Sequence, residues 1–391
     1  MATITSTEPG SAFDLTLSDT QALVQRTARE FAREKLLPLA ADIDEQGRIP
    51  PAILAELASL GFMGVYVPED LGGAGADVVS YILAAEEINR ACASTGVVMS
   101  AHNSLVCDPL LRHATPEQQH RWLAPLARGE TLGCFAMTEP AAGSDAAGMK
   151  TTALKDGSGW VINGTKNFIT NGASAGTCLL FAQTEPGSRS KGITAFIVEQ
   201  PAAGLSVGKI ERKLGIKGSD TAQLVFENVR IGDEQRLGEV GDGFKIALGT
   251  LDGGRIGIAA QAVGIARACL EDSLDYAKSR QAFGKPIAEL QAIQWMLADM
   301  ATEVDAARLL AWRAATLKDR GEPFTAEAAM AKLFASDIAM KAARNCVQIF
   351  GGYGYMKDYP AERHYRDAKI TEIYEGTSEI MKLVIAEDML G

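Results

Sequence analysis

Glu375 is the residue in this chain whose type and neighbours best suit acid–base chemistry. Ile373 and Tyr374, both bulky and largely apolar, precede it, and Gly376 follows directly. Because apolar surroundings disfavour the charged form of a carboxyl group, they raise its pKa toward neutrality, where a general base is effective. Taken alone, a Glu-Gly pair is more often a solvated turn, so other segments must decide.

Two segments in the middle of the chain have residues that could bind a flat, polar ligand. In the first, Phe135 and Met137 lead into a small-residue loop, where the hydroxyl groups of Thr138 and Ser144 could meet an electron-rich ligand edge. The alternative is a plain transition from strand to loop.

In the second segment, Phe168 and Thr170 flank Ile169 and are expected on one side of a strand. The ring could stack on a flat cofactor while the hydroxyl group forms a hydrogen bond with it. The alternative is an ordinary pair of β residues before an Asn171-Gly172 turn.

Three helical segments complete the set. Asp252 and Arg255 share a helix face across two glycines that are costly in a helix, which suggests a close approach, although a solvated ion pair is the alternative. Residues 279–286 and 348–354 are basic or glycine-rich helix ends that could meet phosphates, or ordinary caps. Neither is a GxGxxG between a strand and a helix, so no Rossmann site is predicted.

The elements that position these candidates change type twice. The first third has helical spacing, short β-branched and aromatic runs separated by turns begin near Thr131, and long helical segments return after Gly241. We therefore predict a mainly α protein with an inserted β domain and a C-terminal helical bundle. The predicted domains are residues 1–130, 131–238 and 239–391.

Local signals add detail to this order. Ser18 with Gln21 predicts a capping box on a helix that stops before Pro38, and Thr325 is predicted to cap a later helix. Residues 156–159 predict a hairpin turn.

Composition narrows the class of protein. The 391 residues carry a net charge of −11, and the sequence pI is near 5.1, which argues against nucleic acid and anionic membranes as partners. The six cysteines form no CxxC pair and are expected to be buried thiols, and the four histidines lack ligand spacing, so no metal is predicted. Residues 1–13 resemble no targeting signal, so a cytoplasmic location is expected.

Taken together and in this order, the segments resemble the acyl-CoA dehydrogenase family. The resemblance runs from about Leu15 to Leu390 and is strongest at residues 137–140, 279–284 and 373–377. Residues 254–259 and 360–367 look most like the short-chain (butyryl-CoA) branch.

The resemblance implies an α-helical N-domain, a β-barrel middle domain and a C-terminal four-helix bundle, with FAD between the last two, in a homotetramer built as a dimer of dimers. It implies oxidation of a short-chain acyl-CoA to the trans-2-enoyl-CoA, with the α-proton taken by a base and a hydride passed to flavin N5. Electron-transfer flavoprotein is the implied acceptor.

Residue by residue, the resemblance makes Glu375 the catalytic base. The positions that match cofactor contacts are Phe135, Met137, Thr138, Ser144, Phe168, Ile169, Thr170, Arg280, Phe283, Gln291, Gln348, Gly351, Gly352, Thr377 and Glu379. Some of the contacts to the adenosine and diphosphate come, in the family, from a neighbouring subunit. The positions that match substrate contacts are Ser144, Asp252, Arg255 and Gly376.

Two departures from the family and several alternatives remain. Many relatives have tryptophan at Phe168, and branches related to isovaleryl-CoA and long-chain enzymes carry the base near Gly254. Branched-short-chain and medium-chain acyl-CoA are alternative substrates. A flavin oxidase or monooxygenase on the same fold, and a non-catalytic binding scaffold, are alternative functions.

Overall fold

The computed structural model describes residues 16–391, so the prediction for residues 1–13 lies outside the described part. Helices precede and follow a block of strands, and the predicted mainly α fold with an inserted β domain is confirmed. No helix within residues 16–391 combines the length and the apolar character that crossing a membrane requires.

The N-terminal part is a set of helices. They are α1 (Asp19–Phe31), α2 (Ala40–Gln46), α3 (Pro51–Ser59), α4 (Val78–Ala91), α5 (Ala93–Ser100), α6 (Asp108–His113), α7 (Pro116–Gln118) and α8 (Ala124–Ala127). The predicted capping box is present, because the Ser18 hydroxyl accepts from the Gln21 N–H and the Gln21 side chain accepts from the Ser18 N–H.

The first helix stops before Pro38, as the sequence predicted, but further helical turns follow it. A π-helical turn, Ala32–Leu36, follows α1, and Pro38 lies in a 3-10 turn, Leu37–Leu39, that leads into α2. Proline is tolerated here because it occupies the first turn of a new helical segment, where its missing N–H would have no partner.

The middle part is a sheet of eight strands. They are β1 (Gly133–Ala136), β2 (Thr152–Asp156), β3 (Gly159–Thr170), β4 (Thr177–Gln183), β5 (Ile193–Glu199), β6 (Leu205–Ile210), β7 (Thr221–Gly232) and β8 (Arg236–Leu237). The order is β6-β7-β3-β2-β4-β5-β8, with β1 parallel to β4. Asp156 pairs with Gly159, so the predicted hairpin is confirmed.

Strand β4 packs against helices on one face and against other strands on the opposite face. All seven of its residues are buried. Leu179 and Phe181 pack with helical residues such as Val106 and Ile246, whereas Cys178 and Leu180 pack among the other strands. Since alternate residues of a strand face opposite sides, one strand joins two cores.

The C-terminal part consists of long helices around α9. The elements are α9 (Gly243–Ser279), a hairpin of β9 (Gln281–Ala282) and β10 (Lys285–Pro286), α10 (Gln291–Asp319), α11 (Thr325–Phe350), α12 (Ala361–Ala368) and α13 (Ser378–Leu390). Helix α9 packs against α4, α10 and α11 and is buried over most of its length. Alanines such as Ala307, Ala311 and Ala335 are fully or almost fully buried where these helices meet, which permits close packing.

The six cysteines are free, and each of them is buried. This agrees with the expectation of buried thiols.

Candidate active site

Glu375 lies in a short segment between a 3-10 turn, Lys369–Glu372, and helix α13. Its φ is +53° and that of Gly376 is +99°, so two consecutive residues have left-handed backbone. The backbone conformation of Gly376 favours glycine, and a Cβ added there would also come within 2.5 Å of Met381 Cε, at the end of a flexible side chain. Non-glycine residues adopt positive φ rarely, and such strain is concentrated at functional sites.

The Glu375 carboxylate is held away from water without a full set of partners. Although the residue as a whole is partly exposed, its Oε2 atom is buried and accepts no hydrogen bond among the described residues. Burial raises the pKa of Glu375 to about 7, against the opposing effect of the Lys332 and Arg255 charges. A carboxyl group with this pKa exchanges a proton readily near neutral pH.

Gly254 faces this carboxylate from α9. A Cβ at Gly254 would lie 2.0 Å from Glu375 Oε2 and 2.8 Å from Leu105 Cδ2. The glycine, although costly in a helix, therefore leaves the space in which the Glu375 carboxylate lies.

Asp252 and Arg255, three residues apart on α9, form the predicted ion pair, but the pair does not lie on a solvated surface. Arg255 Nη1 donates to Asp252 Oδ1 over 2.6 Å, and only 5% of Arg255 is exposed. Arg255 Nε lies 3.4 Å from the Glu375 carbonyl oxygen. The pair thus orders the segment that carries Glu375.

Thr325 does not cap α11, which corrects the sequence prediction. Phe324 occupies the N-cap position without a side-chain hydrogen bond, and the Thr325 hydroxyl donates to Asp252 Oδ2 over 2.7 Å. Thr325 is the first residue of α11 rather than the residue before it, and its side chain is turned toward the acceptor on α9.

Lys332, on α11, is a neighbour of this site that the sequence analysis did not select. Its Nζ donates to the Gly376 carbonyl oxygen over 2.7 Å, and the side chain is fully buried. The available signal was its spacing, since Ala328, Lys332 and Ser336 follow one another at four-residue intervals on a buried helix face.

The middle-domain candidates converge at the carboxyl end of β1. The Asn167 N–H donates to the Thr138 carbonyl over 2.8 Å, and Lys166 Nζ donates to the Met137 carbonyl over 2.9 Å. Phe135 is half-buried and Ser144 is exposed on the adjoining loop. The structure therefore brings the two predicted segments side by side.

Phe168 leaves the regular strand geometry on which its prediction rested. The register of β3 against β7 shifts between Lys166 and Ile169, and Phe168, inside this bulge, has φ +58° and is 61% exposed. Ile169 is buried and Thr170 is half-buried. The bulge turns an aromatic ring out of the sheet, and bulges are frequent beside functional sites.

The helix-end candidates lie elsewhere in the chain. Arg280 follows Arg255 by 25 residues along α9, which corresponds to roughly 37 Å at about 1.5 Å per residue. Its guanidinium lies 5.5 Å from the centre of the Tyr353 ring, and Phe283 is 90% exposed with φ +53°. Exposed residues also occur at the other candidate positions of this group, namely Gln291, Gln348, Gly351 and Gly352. One chain does not bring this group to Glu375.

Thr377 and Glu379 begin α13. The Thr377 hydroxyl accepts from the Ile380 N–H over 3.4 Å and caps the helix, and Glu379 is exposed. Both residues line a groove of about 770 Å³ between α11 and α13, whose other walls include Phe334 and Lys382.

The three parts of the chain match three family models in sequence. Residues 18–130 match the N-terminal domain of acyl-CoA dehydrogenase, residues 134–229 its middle domain and residues 241–390 its C-terminal domain. The chain belongs to the acyl-CoA dehydrogenase family, as the sequence predicted, and it is an oxidoreductase of that class.

Comparison with individual relatives shows several members of the family to which this chain is similar. It is 53% identical over 374 residues to the mitochondrial short-chain specific acyl-CoA dehydrogenase of Bos taurus, covering 96% of this chain and 91% of the relative. It resembles the butyryl-CoA dehydrogenase of Megasphaera elsdenii with a TM-score of 0.95 at 46% identity, covering 97% and 100%. A chain in a structure titled for the electron transferring flavoprotein of Acidaminococcus fermentans matches with a TM-score of 0.95 at 47% identity, covering 96% and 99%.

Proposed function

We propose that this protein oxidises a short, straight-chain acyl-CoA to the trans-2-enoyl-CoA, with Glu375 as the base that takes the α-proton. The observation that carries the proposal is the buried, unpartnered Glu375 Oε2 beside Gly254. A carboxylate that lacks a partner and has a pKa near 7 is suited to accept a proton from a weak carbon acid.

FAD is the cofactor that fits the remaining candidates. Phe168 offers an exposed ring, and Thr138 and Ser144 offer hydroxyl groups on the neighbouring segment. The flavin would supply the acceptor for the β-hydride. In the proposal, Thr138, Phe168 and Thr170 hold its ring system.

The other residues of the site prepare proton transfer. Arg255 and Lys332 bind the carbonyl groups of Glu375 and Gly376, which holds the two peptide units that follow the Glu375 side chain. We propose that the Glu375 N–H donates to the thioester oxygen, where negative charge develops when the α-proton leaves. The neighbouring Tyr374 is held in place by its hydroxyl, which donates to Gln261 Oε1.

The short chain length has support from the space beside α9. One turn after Gly254, a Cβ on Gly257 would lie 2.4 Å from the Tyr81 hydroxyl oxygen, which is paired with Ser100 Oγ at 2.7 Å. Both residues are buried. An acyl chain that passes Glu375 along α9 would meet this hydroxyl pair after roughly 5 Å, which is the length of a few carbon atoms.

Two further parts of the proposal concern partners. A homotetramer is part of the proposal because the family resemblance implies it, and the roughly 37 Å between Arg255 and Arg280 leaves the Arg280 group to contact the FAD of a neighbouring subunit. Electron-transfer flavoprotein is proposed as the electron acceptor, and the similarity to a chain solved in the study of such a flavoprotein supports it.

An anaerobic titration of the purified protein with butyryl-CoA, octanoyl-CoA and isobutyryl-CoA tests the proposal. We expect butyryl-CoA to bleach the oxidised-flavin absorbance most strongly. A yellow protein that no acyl-CoA bleaches would contradict the substrate assignment, and peroxide release during turnover in air would favour an oxidase. A colourless protein that FAD does not reconstitute would favour a non-catalytic scaffold.

A further inference from the structure

Two buried cations bind two consecutive carbonyl groups at the proposed base. Arg255 Nε lies 3.4 Å from the Glu375 oxygen, and Lys332 Nζ lies 2.7 Å from the Gly376 oxygen. Glu375 and Gly376 are also the consecutive pair with positive φ. The backbone that aims the carboxylate is therefore strained and held at each of its two carbonyls.

Lys332 is an unusual residue for this position. Its side chain is fully buried, with a relative exposure of 0%. It lies among buried alanines of α11 such as Ala329 and Ala331. A buried ammonium group is costly, and lysine is almost never fully buried unless it is paired. Here the hydrogen-bond partner is a main-chain carbonyl, which an uncharged donor could also satisfy, so the positive charge itself needs a reason.

The charged and titratable groups around Glu375 single out Lys332. Arg255 forms a salt bridge with Asp252, whereas Lys332 forms none within residues 16–391. The phenols of Tyr81 and Tyr374 are neutral, because burial raises the pKa of each well above the physiological range. Glu372 and Glu379 act on Lys332 only through longer-range attraction.

We propose, on the basis of the function proposed above, that Lys332 is a positioning residue for α-proton abstraction, which anchors the Gly376–Thr377 peptide next to Glu375 and favours the ionised carboxylate. The electrostatics agree with the geometry. Burial lowers the pKa of Lys332 to about 8, so it is still mainly charged near pH 7, and its charge opposes the rise in the Glu375 pKa. Removing the charge would raise the Glu375 pKa further.

The test measures the rate of anaerobic flavin reduction by butyryl-CoA against pH in the holoenzyme. Lys332→Met removes charge and donor, and Lys332→Arg keeps both. Lys213→Met is the matched control, because Lys213 is also a largely buried lysine, with a pKa lowered by burial to about 8, and bonds the Ser219 carbonyl and the Thr221 hydroxyl.

For Lys332→Met we expect a limiting rate roughly 10-fold to 100-fold lower, as for a misplaced reacting group. We also expect the acid limb of the profile to move up by about 1 pH unit. Lys332→Arg should restore the wild-type limb, and Lys213→Met should change neither quantity.

An acid limb at the wild-type pH in Lys332→Met would overturn the proposal, even if the rate fell, because a purely structural role would leave the limb in place. If Lys332→Met does not fold, Lys332→Gln, an uncharged amide donor, is measured for the same shift and decides in the same way. A wild-type flavin that butyryl-CoA does not reduce would instead contradict the proposed function.

Discussion

Two glutamates of this chain, the buried Glu139 and the partly exposed Glu375, have opposite environments around their carboxylates. Glu139, beside β1, accepts from the Lys150 N–H over 2.6 Å, from the Thr151 N–H over 2.9 Å and from Lys166 Nζ over 2.8 Å. Burial alone would raise its pKa, but Lys166 and these hydrogen bonds outweigh burial and lower it. Glu375 has an unpartnered Oε2 and a pKa raised by burial to about 7.

The difference separates a glutamate that ties the structure together from one that we propose for chemistry. A carboxylate whose acceptor positions are filled stays ionised and ties together the elements that donate to it. A carboxylate that has an unpartnered oxygen in a site shielded from water has a higher free energy when it is charged, so protonation stabilises it. The same Glu→Gln substitution at both positions therefore tests the comparison.

The largest expected effect is that of Glu375→Gln on catalysis. We expect the protein to fold and bind FAD, and flavin reduction by butyryl-CoA to slow by about 10²-fold to 10⁴-fold, the usual contribution of a general base. Stopped-flow absorbance under nitrogen measures the rate. Reduction at the wild-type rate would remove Glu375 from the role of base.

Glu139→Gln should act on stability instead. It leaves the Lys166 ammonium buried without its counter-charge, and breaking such a pair by removing one partner costs about 3–5 kcal/mol of the free energy of unfolding. Urea unfolding of both Glu→Gln variants checks this. Equal stabilities would mean that the comparison between the two glutamates is wrong.

Gly254→Ala probes the space that the unpartnered oxygen needs. The new methyl group would lie 2.0 Å from Glu375 Oε2 and must displace it, so we expect roughly a 10²-fold slower flavin reduction. Gly249→Ala is the control on the same helix, where the nearest atom to an added Cβ is Arg112 Nη1 at 3.8 Å. A similar loss in both variants would point to a general effect on α9.

The smallest expected effects are those of pH on activity and on stability, and they should distinguish the two glutamates. The kcat/KM for butyryl-CoA is expected to rise with pH and to be half-maximal near pH 7, where Glu375 ionises. A flat kcat/KM profile between pH 6 and pH 8 would contradict the raised pKa.

The stability effects of the two Glu→Gln variants should respond to pH in opposite ways. Because the folded-state pKa of Glu375 is raised, its stabilising contribution is complete below its unfolded pKa and is lost as pH rises through about 7. Glu375→Gln should therefore gain stability relative to wild type over that range. The lowered pKa of Glu139 has the reverse sign, so the deficit of Glu139→Gln should shrink in acid, below about pH 4.5. Urea unfolding between pH 4 and pH 8 measures both trends.

Sequence reasoning reached the fold because the signals for it are local. The Ser18–Gln21 capping box, the 156–159 hairpin and the two changes of period each depend on residues close in sequence. The predicted domain boundaries remain a prediction at the level of single residues. The stop of the first helix before Pro38 was predicted because a proline breaks an α-helix, whereas the 3-10 turn that accommodates Pro38 was not predicted.

The site was only partly predictable because its geometry depends on contacts across the fold. The apolar neighbours of Glu375 pointed to a raised pKa, but the diversion of Thr325 to Asp252 and the reach of Lys332 to Gly376 join residues 73 and 44 positions apart. The bulge at Phe168 likewise depends on pairing with β7. No spacing rule within one segment contains this information.

Gly254 also constrains how this family can change over evolutionary time. A side chain at that position and the carboxylate of Glu375, as it lies here, would occupy the same volume. If Glu375 is the base, as we propose, a lineage that moved its base from the C-terminal segment to α9 would have to displace or lose one carboxylate to accommodate the other. The intermediate would have no base, or two in collision, so such moves are expected to be rare and to require paired substitutions.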